Sequence, residues 1–157
     1  MEIILLNVGK TSTKWINQGI DIYVERLKYY IKYKNIEVPD IKNAGKLNQQ
    51  QQKTEEGKLI LKNISKEDYV ILLDEKGKMM GSVENSEYLQ SIFNKSFKRL
   101  VYVIGGPFGF SKEVYDRADT MLSLSKMTFP HEFVKLIFLE QLYRAMTIIK
   151  GESYHHI

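Results

Sequence analysis

Apolar residues run along this chain in short unbroken blocks that alternate with longer stretches of helical spacing. Glu2–Val8 is nearly all Ile, Leu and Val and stops at Gly9, which predicts a strand buried on both faces. From Thr11 to Lys32, the positions of Trp15, Ile16, Ile20, Tyr23, Val24, Leu27 and Ile31 predict a helix, with Ser12 placed to cap it. A short strand follows over Asn35–Val38 and ends at Pro39. After a loop at 40–45, Leu47–Asn63 reads as a helix whose glutamine run at 49–52 is a solvated face. Tyr69–Leu73 is a third buried strand, residues 74–81 a polar loop and Ser82–Phe97 a helix. Leu100–Ile104 and Met121–Leu124 are the fourth and fifth strands, separated by a short helix over Ser111–Ala118 that Ser111 can cap.

The last element is the longest. Pro130 announces a helix running to Lys150, because proline is favoured at the first helical position, where its missing N–H has no partner. That places the cap at Thr128 or Phe129. From Glu132 on, polar residues are confined to Lys135, Glu140, Gln141, Arg144, Thr147 and Lys150, with 140, 141, 144 and 147 forming one narrow stripe. A helix apolar around most of its girth lies between a sheet and another body, and that body can be a second copy of the chain.

Strands alternating with helices, each strand almost wholly apolar, predict a parallel α/β sheet with helices on both faces. Ligands in such sheets bind beyond the carboxyl ends of the strands. The loops at 73–78, 105–110 and 124–129 are therefore the candidate binding segments.

Composition narrows the chemistry. The 157 residues suit a single domain spanning 1–157, with a core large enough to stand without metal or disulfide. Cysteine is absent, which excludes disulfides, thiolate catalysis and Cys-ligated metals. Lys and Arg total 23 against 19 Asp and Glu, and a net charge of +4 favours a polyanionic partner. The first residues have neither a basic leader nor a membrane-length apolar run, so the expected location is the cytoplasm.

The segment VIGGPFGF at 103–110 sets two glycines after a buried strand and a third before a helix. Such a turn brings backbone close to a ligand, and it serves equally as a plain strand-to-helix connection. Gly9-Lys10-Thr11 is not a phosphate loop, since Ile4 stands where that motif needs glycine. No spacing among His131, His155, His156 and nearby carboxylates suits zinc. Arg144 can pair with Glu140 one turn earlier, or grip a phosphate or base carbonyl if the stripe faces the 124–129 loop. The tail at 153–156 can fray, or its aromatic and imidazole groups can stack on a base and handle a proton. Lys10, Lys14, Lys76, Lys78, Lys112 and Lys126 lie in or near the expected loop edge.

Taken together, IGGPFGF at 104–110, LSLSKMTFPH at 122–131, LEQLYRA at 139–145 and YH at 154–155 resemble the ribosomal RNA large subunit methyltransferase H family. KNIEVPD at 34–40, EEGKLIL at 55–61 and LDEKGK at 73–78 extend the resemblance across the chain, while MMGS at 79–82 and the extra His156 and Ile157 depart from it. The family belongs to the SPOUT superfamily and methylates N3 of pseudouridine 1915 in 23S ribosomal RNA. The resemblance implies an α/β knot, a parallel sheet whose C-terminal segment is threaded as a trefoil, acting as a homodimer on RNA within the ribosome. It implies S-adenosyl-L-methionine held by Leu73, Gly105, Leu124, Ser125, Lys126, Met127, Thr128 and Phe129, with no metal. Arg144 is expected on the nucleotide, and Tyr154 and His155 on the base and its proton, from the partner subunit's tail. The rival readings are a knotted methyltransferase for transfer RNA and a non-catalytic nucleotide- or RNA-binding module.

Overall fold

The computed structural model describes residues 1–156. Among these residues, five strands form one wholly parallel sheet: β1 (Glu2–Val8), β2 (Lys32–Val38), β3 (Tyr69–Met79), β4 (Arg99–Ile104) and β5 (Thr120–Ser123). Their order across the sheet is β2-β1-β4-β3-β5. Successive strand residues point to opposite faces, so β1 sends Ile3 and Leu5 into one core and Ile4 and Leu6 into another. Both sets are buried, which is why β1 carries no polar alternation.

Five helices cover the two faces: α1 (Lys14–Leu27), α2 (Gln49–Lys62), α3 (Ser82–Phe93), α4 (Lys112–Arg117) and α5 (His131–Ile149). α1, α3 and α5 share the core of Ile3 and Leu5, contributing Ile20, Ile92 and Leu139 among others. α2 and α4 close the opposite face with Ile60 and Val114. α5 lies between α1 and α3 and is held from both sides. Its Leu139 is fully buried, and truncating such a leucine to alanine costs about 2–5 kcal/mol.

Several boundaries differ from the expected ones, each for a nonlocal reason. α1 begins at Lys14, not Thr11, and Thr13 is its N-cap without a side-chain cap bond. Ser12 instead donates its N–H and its hydroxyl to the Glu132 carboxylate at 2.7 and 2.9 Å, and the Thr13 N–H joins them at 3.2 Å. These bonds hold Glu132 down to a pKa of about 2. α1 also stops at Leu27, because the chain must turn before β2 starts at Lys32. Pro130 is the N-cap of α5 rather than its first residue, with its carbonyl accepting from Phe133 and Val134. Ser111 is the N-cap of α4, but its hydroxyl makes no cap bond.

The largest difference is β3, which continues past Leu73 to Met79. Leu73 pairs with Leu122, and Lys78 pairs with Leu122 again, so residues 74–77 arch out of the sheet and return to β5. Gly77 sits at the closest point. A Cβ there would lie 2.7 Å from backbone atoms of Met121 and Leu122, so only glycine lets the arch close on the strand.

The helix assignments also locate the crevices. β4 leads into α4 on one face, whereas its neighbours β1 and β3 lead into α1 and α3 on the other. Loops leaving adjacent strands in opposite directions open a gap at their carboxyl ends. β4 therefore has a gap on each side.

Candidate functional site

The first gap, between β3 and β4, is a cleft of about 420 Å³. Three loops surround it: Leu73–Lys76 from the β3 arch, Ile104–Phe110 after β4, and residues 124–129 after β5. Of the residues expected there, Leu73, Gly105, Leu124, Ser125, Met127, Thr128 and Phe129 line the wall. Lys126 is not among them and points to solvent. The 124–129 loop is shaped by its own hydroxyls: Ser123 Oγ donates to the Ser125 carbonyl at 3.0 Å, and the Met127 N–H donates to Ser125 Oγ at 2.9 Å. That accounts for the serines in what reads as a connector.

Close packing fixes the glycine loop. A Cβ at Gly105 would stand 2.9 Å from the Phe110 ring, and one at Gly106 would stand 2.2 Å from Glu56 Oε2. Gly109 adopts φ +79°, a conformation L side chains rarely take. The cleft floor also carries acid. Tyr115 donates its hydroxyl to Asp74 Oδ2 at 2.6 Å, and burial, reinforced by that bond, pushes its phenol up to about 12. Asp74 and Glu75 fall in the 73–78 loop expected to bind, whereas nothing in the spacing of Tyr115 and His131 shows them to be neighbours of it.

Arg144, Tyr154 and His155 form a second group, built almost wholly from side chains. Arg144 is ion-paired with Glu140, as the i to i+4 spacing predicts. It also contacts His155 Nδ1 at 3.2 Å and lies over the Tyr154 ring, 4.8 Å from its centroid. An arginine only donates, so Nδ1 accepts and the imidazole carries its proton on Nε2. Glu140 gathers the set by accepting from Arg144 and, at 3.0 Å, from the Tyr154 hydroxyl. Burial first, then bonds to Tyr23 and Glu140, raise the Tyr154 phenol above its ordinary value. Tyr154 is thus a donor at neutral pH, not a base. The bond to Glu140 likewise raises Arg144, which stays charged.

Within one chain the two groups do not meet. α5 begins at the cleft with His131 and Val134, and Arg144 lies ten residues beyond Val134, roughly 15 Å along the axis at ~1.5 Å per residue. The polar stripe is also narrower than expected. Thr147 is fully buried and bonds to the Arg144 carbonyl. Lys135 is buried too and pairs with Glu37 at 3.3 Å. Along this part of α5, Ile137, Gln141, Arg144 and Ile148 form a partly buried row, with Glu140 and Tyr143 buried to a similar degree. Among the lysines expected at the loop edge, Lys76 lines the cleft, while Lys78 and Lys112 pair with Glu84 and Asp116.

Among the described residues, no cluster of three or more His, Asp or Glu is arranged to hold a metal. No helix among them is long and apolar enough to cross a membrane.

The family model described as "Predicted SPOUT methyltransferase" matches residues 1–155. Relatives include the protein named ribosomal RNA large subunit methyltransferase H from Christiangramia forsetii, 53% identical over 156 residues and covering 99% of both chains. The proteins of that name from Flavobacterium johnsoniae and Parabacteroides distasonis are 51% and 49% identical over the same share of each chain. A full-length match of this kind, on a parallel sheet with its cleft beyond β3, β4 and β5, means that the chain belongs to the SPOUT methyltransferase family.

Proposed function

We propose that this chain methylates ribosomal RNA, transferring the methyl of S-adenosyl-L-methionine to N3 of pseudouridine 1915 in the 23S molecule, within the ribosome. The observation carrying this reading is the near-complete alignment, at about half identity, with proteins named for methylating large-subunit ribosomal RNA.

The cleft suits the donor. It offers backbone from three loops and apolar surface from Leu73, Leu124, Phe129 and Val134 for an adenine, with Asp74 and Glu75 for hydroxyls or positive charge. The glycines at 105 and 106 let that loop pack directly on the Phe110 ring and the Glu56 carboxylate, which fixes its backbone beside the cleft. When bound, the donor supplies a methyl group made electrophilic by its sulfonium. Leu73, Gly105 and the segment 124–129 hold it, with Lys126 reaching from the rim toward RNA rather than lining the wall.

Replacing the N3 proton by methyl requires that the proton leave and that charge on the base oxygens be stabilised. Arg144 has N–H groups beyond those used by Glu140 and His155, and it supplies that stabilisation. Tyr154, held protonated, stacks on the base and donates. His155 takes the proton once it has released Arg144, because its free lone pair is otherwise engaged.

These groups act on the partner's cleft in a homodimer. Two features support this: the separation along α5, and the apolar surface left exposed by Trp15 and Ile22 on α1, the helix packed against α5. Association through such a surface brings one chain's tail to the other's cleft. Ribosomes from a strain lacking the gene, incubated with labelled donor, test the reading. Label is expected at one pseudouridine of 23S RNA; label on transfer RNA, or none, overturns it.

A further inference from the structure

The gap on the other side of β4 holds a second pocket of about 310 Å³, between the ends of β1, β2 and β4. Its size is at the lower end of the range for small-molecule sites, roughly 300–1,000 Å³. Gly106, Pro107 and His131 belong to its wall and to that of the donor cleft, so whatever occupies one pocket lies directly beside the other. Glu56 forms part of its lining although the residue is only 3% exposed. Gln52 Nε2 donates to Glu56 Oε1 at 2.8 Å, while Oε2 has no hydrogen-bond partner among the described residues. A buried oxygen without a donor is costly to leave in that state, and only a glycine at 106 fits against it, since a Cβ there would stand 2.2 Å from Oε2.

The mouth of this pocket sets lysines beside the carboxylates of Asp40 and Glu132, the latter already bonded to Ser12 and Thr13. Lys10 lines it, and Lys42 and Lys46 flank the turn that contributes Ile41 and Ala44. All three are exposed and, among the described residues, none makes an ion pair, whereas Lys58, Lys78 and Lys112 on other surfaces do. Unpaired ammonium groups around a pocket with a buried acceptor fit a nucleotide: phosphates outside, a base with an N–H inside.

We infer that this pocket takes the unstacked target base, with Glu56 accepting the N1–H of pseudouridine and Lys10, Lys42 and Lys46 holding the flanking phosphates. The inference rests on the substrate reading above. Pseudouridine is joined to its ribose through carbon, so N1 keeps a hydrogen that uridine lacks there. One acceptor can therefore separate the two bases while N3, on the far side of the intervening carbonyl, faces the donor cleft. Glu56 then acts on specificity and not on the methyl transfer itself.

Glu56→Gln tests this sharply. Gln52 continues to hold the amide oxygen, so an amide N–H replaces Oε2 and opposes the N1–H. Methylation is measured on ribosomes carrying pseudouridine or uridine at the target, alongside donor affinity. Wild-type protein is expected to favour pseudouridine, and the variant to lose at least tenfold of that preference with donor binding unchanged. An unchanged preference, even with both rates lowered, means Glu56 only supports the glycine loop and overturns the assignment. Wild-type protein indifferent to the base would overturn the substrate reading, and this inference with it. The exposed pair Lys42→Glu and Lys46→Glu gives an independent measure. Its KM for ribosomes should rise and its salt dependence become shallower, by roughly 0.7 in the log–log slope for each phosphate left unneutralised. A wild-type slope would remove these lysines from the phosphate path.

Discussion

The donor cleft and the tail cluster are built on opposite principles. The cleft is made of backbone and glycine, with its loops fixed by short hydroxyl bonds and by packing that excludes a Cβ. The tail cluster consists of long side chains that satisfy one another, Glu140 accepting from both Arg144 and Tyr154. On the proposed function, one is a mould for a fixed ligand and the other a set of donors for a substrate to engage. Their separation along α5 means that binding and base chemistry can be damaged independently.

Removing Arg144 breaks the comparison most strongly. Arg144→Ala should lower methylation by about 10²–10³-fold, the range for losing one charge-stabilising donor, while calorimetry shows donor affinity unchanged. Next in size, Gly105→Ala forces a Cβ against the Phe110 ring. We expect about 1–3 kcal/mol lower stability from such overpacking, together with weaker donor binding, read by thermal melting and calorimetry. Combining the two variants sharpens the contrast: if the tail serves the partner's cleft, mixed Arg144→Ala and Gly105→Ala dimers hold one intact site. Co-expression should then recover about a quarter of wild-type activity, as random pairing in a twofold dimer dictates; no recovery would place both groups in one chain.

The smallest effect concerns the joint between α1 and α5. Glu132 has its pKa lowered from 4.5 to about 2 by the Ser12 and Thr13 bonds. A depressed carboxyl stabilises the fold above its unfolded value and loses that contribution as pH falls toward its folded value. Thermal stability should therefore decline between about pH 5 and pH 2, and Glu132→Gln should flatten that part of the profile.

Sequence periodicity carried the alternation of strands and helices, because buried parallel strands leave unbroken apolar runs. It missed the second half of β3, DEKGKM, since residues 74–77 leave the sheet, only Lys78 and Met79 pair with β5, and the lysines and Glu75 stay exposed. Ser12 reads as a local cap but bonds to a residue 120 positions away. Arg144 and Glu140 were legible as a helical pair. The folding of Tyr154 and His155 over them was not, because nothing local aims a tail. Glu56 was hidden for the opposite reason, lying in a helix of Gln, Lys and Glu that reads as solvated. Only the neighbouring Gly57 signals close contact, its absent Cβ leaving room for Ser111.

The margins of the sheet have a consequence for the protein's behaviour in a crowded solution. β2, at one edge, exposes Lys32 and Lys34, and β5, at the other, is only four residues long. Lysines and short lengths are what discourage an open edge from templating a foreign strand. Aggregation by sheet extension is thereby suppressed, and self-association is left to the helical surfaces, where it is selective.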